Sequence, residues 1–312
     1  MEQLTALAIK NLSYAYRGNW SIKRKPALHN LSLEIEQGES FGFLGHNGAG
    51  KTTTIKCILD LVRPTSGSIK IFGQSAHETK SRAIVGYLPE QPYFYDNLTV
   101  AELMSLYATL AGVSSTNREH SITKALKRVG IYDRSKSPMR SLSKGLMQRV
   151  AMSQAIVAEP KLLILDEPFS GLDPMGRREF RDLLVEQHQA GTTIFMSSHI
   201  LSDVELLCDR VSIMVQGELR GVYKVREIPS SQAVTFELIV SGPDASHPPL
   251  ASLATDTRKR DGSVSYIFND RAKAESALKF AIDKGATIES FEAHRPSLED
   301  LFVALGQTGA SK

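Results

Sequence analysis

The feature that most restricts the fold of this chain is a glycine-rich turn between an apolar strand pattern and a helical pattern. The strand pattern is Phe41 to Leu44, and the helical pattern runs from Thr52 to Leu61, before Pro64 and Gly67. The turn matches G-x-x-x-x-G-K-[ST], and its residues are Gly45, His46, Asn47, Gly48, Ala49, Gly50, Lys51 and Thr52. A purely structural glycine turn is the alternative, but the flanking strand and helix are those that a phosphate-binding loop requires.

The residue types of this turn suit a nucleoside triphosphate. Glycines let the backbone N–H groups point at phosphate oxygens, and the following helix adds the positive end of its dipole. Lys51 is then expected to reach the β- and γ-phosphates, and the Thr52 hydroxyl to bind Mg²⁺. We therefore predict that residues 45–52, together with Thr53, bind ATP.

A second element carries two adjacent carboxylates. Asp166 and Glu167 follow the apolar strand pattern Leu162 to Leu165, and α/β sheets bind their ligands at the carboxyl ends of strands. Because side chains alternate along a strand, the two carboxylates point in different directions and suit different roles. One would hold the metal, and the other the attacking water. Taken alone, the element is equally well a surface Asp-Glu turn.

Strand and helix patterns alternate along the first two thirds of the chain, which predicts an α/β domain with a largely parallel sheet. The strand patterns are Leu7 to Leu12, Leu28 to Ile35, Phe41 to Leu44, Leu162 to Leu165, Thr193 to Met196 and Val211 to Val215. Thr99 and Glu102 have the spacing of a capping box and begin a helical segment that extends to about Ala158. Its apolar positions at helical spacing are Leu103, Leu106, Tyr107 and Leu110.

The pattern changes after the turn at Gly217. Strand patterns at Val234 to Val240 and Val264 to Phe268 enclose a Pro-, Ser- and Gly-rich loop from Ser241 to Pro249. A helical pattern from Ala272 to Lys284 then stops at Gly285. These signals predict a small, separate α+β domain.

Composition narrows the class of protein. The formal net charge is only +3 over 312 residues, so the chain lacks the basic field of a dedicated nucleic-acid binder. The basic clusters at residues 23–25 and 258–260 are expected to be solvated loops. Cys57 and Cys208 lack metal-ligand spacing, which fits a reducing compartment. We see no signal peptide and no apolar run of about 18 residues, so another chain would have to supply any membrane span.

Between the glycine loop and the acidic strand, the chain resembles the ABC ATPase family. The family signature reads LSGGQ followed by a Gln-Arg pair. Here Leu142, Ser143, Gly145, Gln148 and Arg149 match, whereas Lys144 and Leu146 depart from it. Ser143 still suits an N-cap, so the helix that follows it would present a second anion-binding N-terminus. An ordinary capped helix is the alternative.

Three more elements resemble the same family, and a fourth departs from it at one position. Residues 170–174 look like its D-loop, which contributes Asp173 to the nucleotide site, and His199 looks like its switch histidine at a strand end. Tyr16 stands where the family places an aromatic ring on adenine, with Tyr14 as the competing choice. The loop that leads to the helical segment places Glu90 where the family has a glutamine, with Gln91 beside it. A carboxylate still accepts from a magnesium-bound water, so Glu90 is the metal-side candidate.

The resemblance implies a P-loop NTPase core of the α/β class, with a parallel sheet, a β-rich subdomain and an inserted helical subdomain. It places the ATPase domain at residues 1–220, the helical subdomain at about 90–160 and the accessory α+β domain at 221–312. Lys51, Thr52 and Asp166 would bind ATP and Mg²⁺, Glu167 would activate water, and His199 would hold the γ-phosphate. Ser143 and Gly145 of a second protomer would close over that phosphate.

The resemblance also implies partners and a location. The expected protein is a homodimer or a heterodimer with a second ATPase, bound to a separate integral-membrane subunit on the cytoplasmic face of the cell membrane. The variant signature and residues 296–302 look similar to exporters of the ABC-2 type. Two rivals are an ABC ATPase that acts on DNA or ribosomes and a regulatory ATP switch. Only about 90 residues separate Lys51 from Leu142, which leaves no room for a long coiled coil.

Overall fold

The computed structural model describes residues 4–18, 21–227, 234–242, 248–260 and 262–294. The chain divides into two compact units, and the boundary lies between Val225 and Arg226. The expected boundary at residues 220 and 221 therefore falls five residues early, inside a strand that belongs to the first unit. In the described part of the chain, every helix is too short or too polar to cross a bilayer.

The elements of the first unit alternate in the way that the sequence predicts. In chain order they are β1 (Thr5–Gly18), β2 (Ser21–Glu36), β3 (Ser40–Gly45), α1 (Lys51–Ile58), β4 (Ser66–Ile71), β5 (Gln74–Ser75), α2 (Thr79–Arg82), β6 (Val85–Leu88), α3 (Val100–Leu110), α4 (Arg118–Arg128), α5 (Lys144–Ile156), β7 (Leu162–Asp166), α6 (Pro174–Gln189), β8 (Thr193–Ser198), α7 (Leu201–Leu207), β9 (Arg210–Val215) and β10 (Glu218–Lys224). Two 3₁₀ turns, Tyr132–Arg134 and Met139–Ser141, lie between α4 and α5.

Two sheets build this unit. The central sheet has the order β10-β9-β3-β8-β7-β6 and is parallel except for β10, which pairs antiparallel with β9. An antiparallel sheet has the order β2-β1-β4-β5. One continuous core joins α1 to both sheets, through residues such as Leu31, Phe43, Ile55 and Ile164. The parallel strands β3, β7 and β8 bring Gly45, Asp166 and Ser198 to the same edge of the central sheet.

The β1–β2 hairpin is longer than its apolar pattern. Its ladder continues through Tyr16 and Lys25 to a last pair formed by Gly18 and Ser21. The prediction of a solvated loop at residues 23–25 was therefore wrong, because backbone pairing extends the strand into a polar stretch.

Helix α1 begins at Lys51 but ends at Ile58, three residues before the predicted end. Asp60 adopts a left-handed conformation with φ of 58°. That conformation does not continue a right-handed helix, so the chain turns away before Pro64.

The inserted helical segment begins with the predicted capping box. The Thr99 side chain accepts from the Glu102 N–H, and the Glu102 carboxylate accepts from the Thr99 N–H at 2.8 Å. Of the apolar positions predicted to lie on one face of α3, Leu103 is buried but Leu106 and Leu110 are exposed. Helical spacing identified the helix correctly and overestimated the width of its buried face.

The second unit is a four-stranded antiparallel sheet with helices. Its elements are β11 (Thr235–Ser241), α8 (Pro248–Leu253), β12 (Asp256–Arg260), β13 (Ser263–Phe268), α9 (Arg271–Asp283) and β14 (Thr287–His294). The strand order is β12-β13-β11-β14. The basic cluster at residues 258–260 lies in the edge strand β12 and does not form the predicted loop. Residues 296–302, which suggested the exporter type, lie outside the described residues.

Candidate active site

A cavity of about 420 Å³ lies beside the carboxyl end of β3. Most of the glycine loop lines this cavity. Glu167 of the acidic pair lines it as well, and so does Glu90, one of the two candidates Glu90 and Gln91. Its lining residues are Tyr16, Lys25, Pro26, Ala27, His46, Asn47, Gly48, Gly50, Lys51, Thr52, Thr53, Glu90 and Glu167. Lys25, Pro26 and Ala27 were missed, because nothing in an isolated hairpin sequence shows which end faces the loop.

The loop curls as the phosphate-binding pattern requires. Gly48 and Gly50 have φ of 81° and 113°, which L side chains rarely adopt. At Gly50 a Cβ atom would also come within 3.0 Å of the Ala27 carbonyl oxygen. The Lys51 side chain is buried and donates from Nζ to the Gly45 carbonyl at 2.6 Å. The loop thus fixes its own lysine in the lining of the cavity.

Glu167 lies between two predicted site residues. Its Oε1 is 3.3 Å from Lys51 Nζ, and its Oε2 is hydrogen-bonded to His199 Nδ1 at 2.7 Å. The Glu167 backbone is left-handed, with φ of 50°. This strained conformation turns the carboxylate toward the loop at the end of β7. The carboxylate itself is largely buried, while the imidazole is half exposed.

Asp166 points into a different environment. It is 1% exposed, and Ser197 Oγ donates to its Oδ1 at 2.5 Å. Burial raises the pKa of Asp166, whereas hydrogen bonds from Ser197 and Thr52 oppose that rise. Ser197 Oγ also accepts from the Glu167 N–H at 3.1 Å. Ser197 was not predicted from the sequence. The only signal for it was a hydroxyl group near the end of an apolar strand.

The oxygen donors beside the loop fit a magnesium ion. Thr52 and Glu90 line the cavity, and the Asp166 carboxylate lies close enough to the Thr52 side chain for Thr52 to oppose the rise of its pKa. The described residues contain no group of three or more His, Cys, Asp or Glu side chains that would hold a metal alone. Mg²⁺ is commonly held by one or two carboxylates together with substrate phosphates, so the donor set agrees with that ion.

The two candidate tyrosines are in edge-to-face contact, with ring centroids 4.9 Å apart. Tyr14 packs against the core, whereas Tyr16 lines the cavity and its hydroxyl is hydrogen-bonded to Thr53 Oγ1 at 2.9 Å. Of the two tyrosines, Tyr16 is the one that lines the cavity.

Ser143, Gly145 and Asp173 do not line the cavity. Ser143 Oγ accepts from the Leu146 N–H at 3.3 Å and caps α5. Asp173 Oδ1 accepts from the Gly176 N–H at 2.8 Å and caps α6. The structure therefore does not bring these three residues to the glycine loop within one chain.

The fold and the site together define a P-loop ATPase. A parallel sheet presents a glycine loop with its lysine, and a strand two places away ends in a buried aspartate followed by a glutamate. Residues 28–170 match the family model described as ABC transporter. The chain belongs to the family of ABC transporter ATP-binding proteins, and its activity is the binding and hydrolysis of ATP for transport.

The similarity to relatives and to solved structures extends over most of the chain. An ABC transporter ATP-binding protein of Synechocystis is 36% identical over 94% of this chain and 82% of its own length. The bacitracin transport ATP-binding protein BcrA of Bacillus licheniformis is 34% identical over 91% of this chain and 82% of its own length. The structure of cbiO1 from Clostridium perfringens, described as part of the ABC transporter complex cbiONQ, is 32% identical. It has a TM-score of 0.63 and covers 74% of this chain and 92% of its own.

Proposed function

We propose that this chain binds ATP with Mg²⁺ in the cavity beside β3 and that Glu167 activates the attacking water. The observation that carries the proposal is the position of Glu167, which contacts Lys51 through one carboxylate oxygen and His199 through the other. A carboxylate held between a phosphate-binding lysine and an imidazole lies where a γ-phosphate and a water would meet.

The chain's residues have separate roles in this mechanism. Backbone N–H groups of the loop and the Lys51 ammonium hold the phosphates, and Tyr16 stacks on the adenine. Thr52, Asp166 and Glu90 would hold Mg²⁺, which supplies positive charge to the β- and γ-phosphate oxygens. Because Ser197 donates to Asp166, that carboxylate keeps one lone pair engaged and a fixed orientation.

Proton movement is assigned to Glu167. Its carboxylate accepts the proton of the attacking water, and His199 holds the γ-phosphate with the ring nitrogen that does not face Glu167. Lys51 is within 3.3 Å of the same carboxylate, so its charge is also near the oxygens that gain negative charge.

A second protomer completes the site. Ser143 and Gly145 lie at the start of α5 and Asp173 at the start of α6, outside the cavity of their own chain. We propose that they cover the γ-phosphate bound by a partner, in a homodimer or a heterodimer with a second ATPase.

The dimer is proposed to drive a separate integral-membrane subunit from the cytoplasmic face of the cell membrane. Two kinds of relative support this assignment: one is named for bacitracin transport, and another is described as part of a transporter complex. Tyr93 and Tyr95, in the loop from Glu90 to Leu98, are strongly exposed and form the candidate contact. We propose transport in the export direction and no nucleic-acid partner.

The second unit is proposed to be an accessory domain. Its own core, built from residues such as Leu238, Tyr266 and Ala277, supports a fold that forms separately. Two roles are open to it: one is stabilising the dimer, and the other is regulating access or partner binding.

The test of the proposed function is Glu167→Gln. This change removes one charge and the proton acceptor but keeps the side-chain shape, so ATP binding should persist while hydrolysis falls at least about a hundredfold. Hydrolysis is measured by phosphate release, with Glu289→Gln, an exposed glutamate of the second unit, as the matched control. Phosphate release by Glu167→Gln within a few-fold of the parent would reject Glu167 as the base.

The same variant tests the dimer. With uncleaved ATP and Mg²⁺ it should accumulate as a closed dimer in size-exclusion chromatography with light scattering, and ADP should not replace ATP. Adding Ser143→Arg should abolish that dimer. If the double variant dimerises as well as Glu167→Gln alone, α5 does not read the γ-phosphate across the interface.

A further inference from the structure

Asp203 is a buried carboxylate that the proposed mechanism does not use. It lies in the first turn of α7, four residues after His199, and is 3% exposed. It does not line the nucleotide cavity. Burying a carboxylate this deeply costs free energy of folding unless a positive group faces it, so the contacts of Asp203 show what its burial requires.

The contact is with helix α6. Arg181 Nη2 lies 3.6 Å from Asp203 Oδ1, and Arg177, one turn earlier on α6, also acts on Asp203 electrostatically. This helix begins at the residue after Asp173. The ion pair therefore ties the first turn of α7 to the helix that follows the predicted D-loop.

Neither partner of the ion pair is fully satisfied. Within the described residues, Asp203 Oδ2 and Arg181 Nε are buried and have no hydrogen-bond partner. Burial raises the pKa of Asp203, and the charges of Arg177 and Arg181 oppose that rise. Glu167 raises the pKa of Asp203 further and His199 lowers it. The charges of the proposed catalytic pair therefore act on this carboxylate.

Packing fixes the other side of α7. Val204 is fully buried, and a Cβ atom added to Gly42 of β3 would overlap its Cγ1. Helix α7 is thus held to the sheet by Val204 and to α6 by Asp203. Only Ile200 separates His199 from the first residue of this helix, so the position of the helix determines where the imidazole can reach.

We propose that Asp203 is a positioning residue for ATP hydrolysis, which holds the backbone at His199 so that the imidazole stays on Glu167. The inference rests on the proposed function, because it gives His199 a part in the chemistry. Asp203 touches neither nucleotide nor water in this assignment; it acts through the ion pair with α6.

The test compares Asp203→Asn with Asp182→Asn, the same chemical change at an exposed position of α6. Misplacing a catalytic group by about 1 Å costs up to about 10²-fold, so kcat of Asp203→Asn should fall about 10- to 100-fold. KM for ATP should stay within about twofold, because the residues of the glycine loop are untouched. Asp203→Glu should recover part of kcat, and Asp182→Asn should match the parent. An unchanged kcat in folded Asp203→Asn would overturn the inference.

A second comparison separates positioning from stability. If Asp203 acts through His199, Asp203→Asn should add little to the loss already caused by His199→Ala; a further loss as large as in the parent background would overturn the proposal. If Asp203→Asn does not fold, Arg181→Met breaks the same ion pair from α6 and should lower kcat without raising KM, and a parent-like kcat there also overturns it. Failure of the Glu167→Gln test would instead reject the proposed function itself.

Discussion

Glu90 stands where the family resemblance predicts a glutamine, and it lines the nucleotide cavity whereas its neighbour Gln91 does not. We therefore expect Glu90 to face the metal side of the site. Glu90→Gln should stay active, because an amide oxygen still accepts from a magnesium-bound water. Glu90→Ala should lose stimulation by the membrane partner. Phosphate release with and without that partner is the measurement, and a larger defect in Gln91→Ala would transfer the role to Gln91.

The burial of the two cysteine sulfur atoms can be tested by their reactivity. Burial raises the pKa of the Cys57 and Cys208 thiols to about 12. At pH 8 about a quarter of an ordinary thiol is thiolate, against roughly one part in 10⁴ at that pKa. Alkylation by iodoacetamide, followed by mass spectrometry, should thus be slower in the folded protein by on the order of 10³. Urea-unfolded protein is the control, and equal rates in both states would contradict the burial.

The residues of the site were partly predictable from sequence. The glycine loop, Asp166 and Glu167 were accessible because each belongs to a local pattern with a direct physical meaning. The Lys51–Glu167 and His199–Glu167 contacts were not, because they join segments more than 30 residues apart. Ser197 escaped for the same reason: its two hydrogen bonds appear only when β7 and β8 pair.

At the scale of elements, β3 and α7 approach so closely that a side chain at Gly42 would overlap Val204. Gly42→Ala would place a methyl group against Val204 and 3.2 Å from the Cys208 sulfur. Overpacking of this kind costs about 1–3 kcal/mol, and we expect the free energy of unfolding in urea to fall by that amount. Val204→Ala should remove the clash, so the double variant should be more stable than the sum of the two single losses predicts. Strict additivity would mean that α7 does not rest on Gly42.

Strands and helices differ in how well the sequence revealed them. The four inner strands of the central sheet, β3, β7, β8 and β9, were found because both of their faces are buried, whereas the edge strands β6 and β10 were not predicted. Strands β12 and β14 were missed because β12 is an edge strand rich in charge and both are largely exposed. The end of α1 was misplaced because a left-handed Asp60 leaves no clear mark in composition.

For the whole molecule, the unit boundary sets where the chain can be cut. The ladder between β10 and β9 includes the pairs Val222 with Ser212, Tyr223 with Val211 and Lys224 with Arg210. A fragment ending at Val225 keeps these pairs and should bind ATP and melt cooperatively. A fragment ending at Gly221 loses them and should melt at a lower temperature. Equal melting of the two fragments would mean that the end of β10 adds nothing to the first unit.

The separation of Lys51 from Ser143 within one chain has a genetic consequence. Lys51→Ala removes the cation that we propose to hold the phosphates, and Ser143→Arg blocks the start of α5, so each allele alone should abolish transport. A mixed dimer, however, contains one site built from an intact glycine loop and an intact Ser143. In a homodimer, random assortment makes about half of the dimers mixed, so co-expression of the two alleles should restore roughly a quarter of the parental sites. Growth or transport in a strain that carries both alleles measures this complementation, and a cell carrying either allele beside the wild type should show partial dominance.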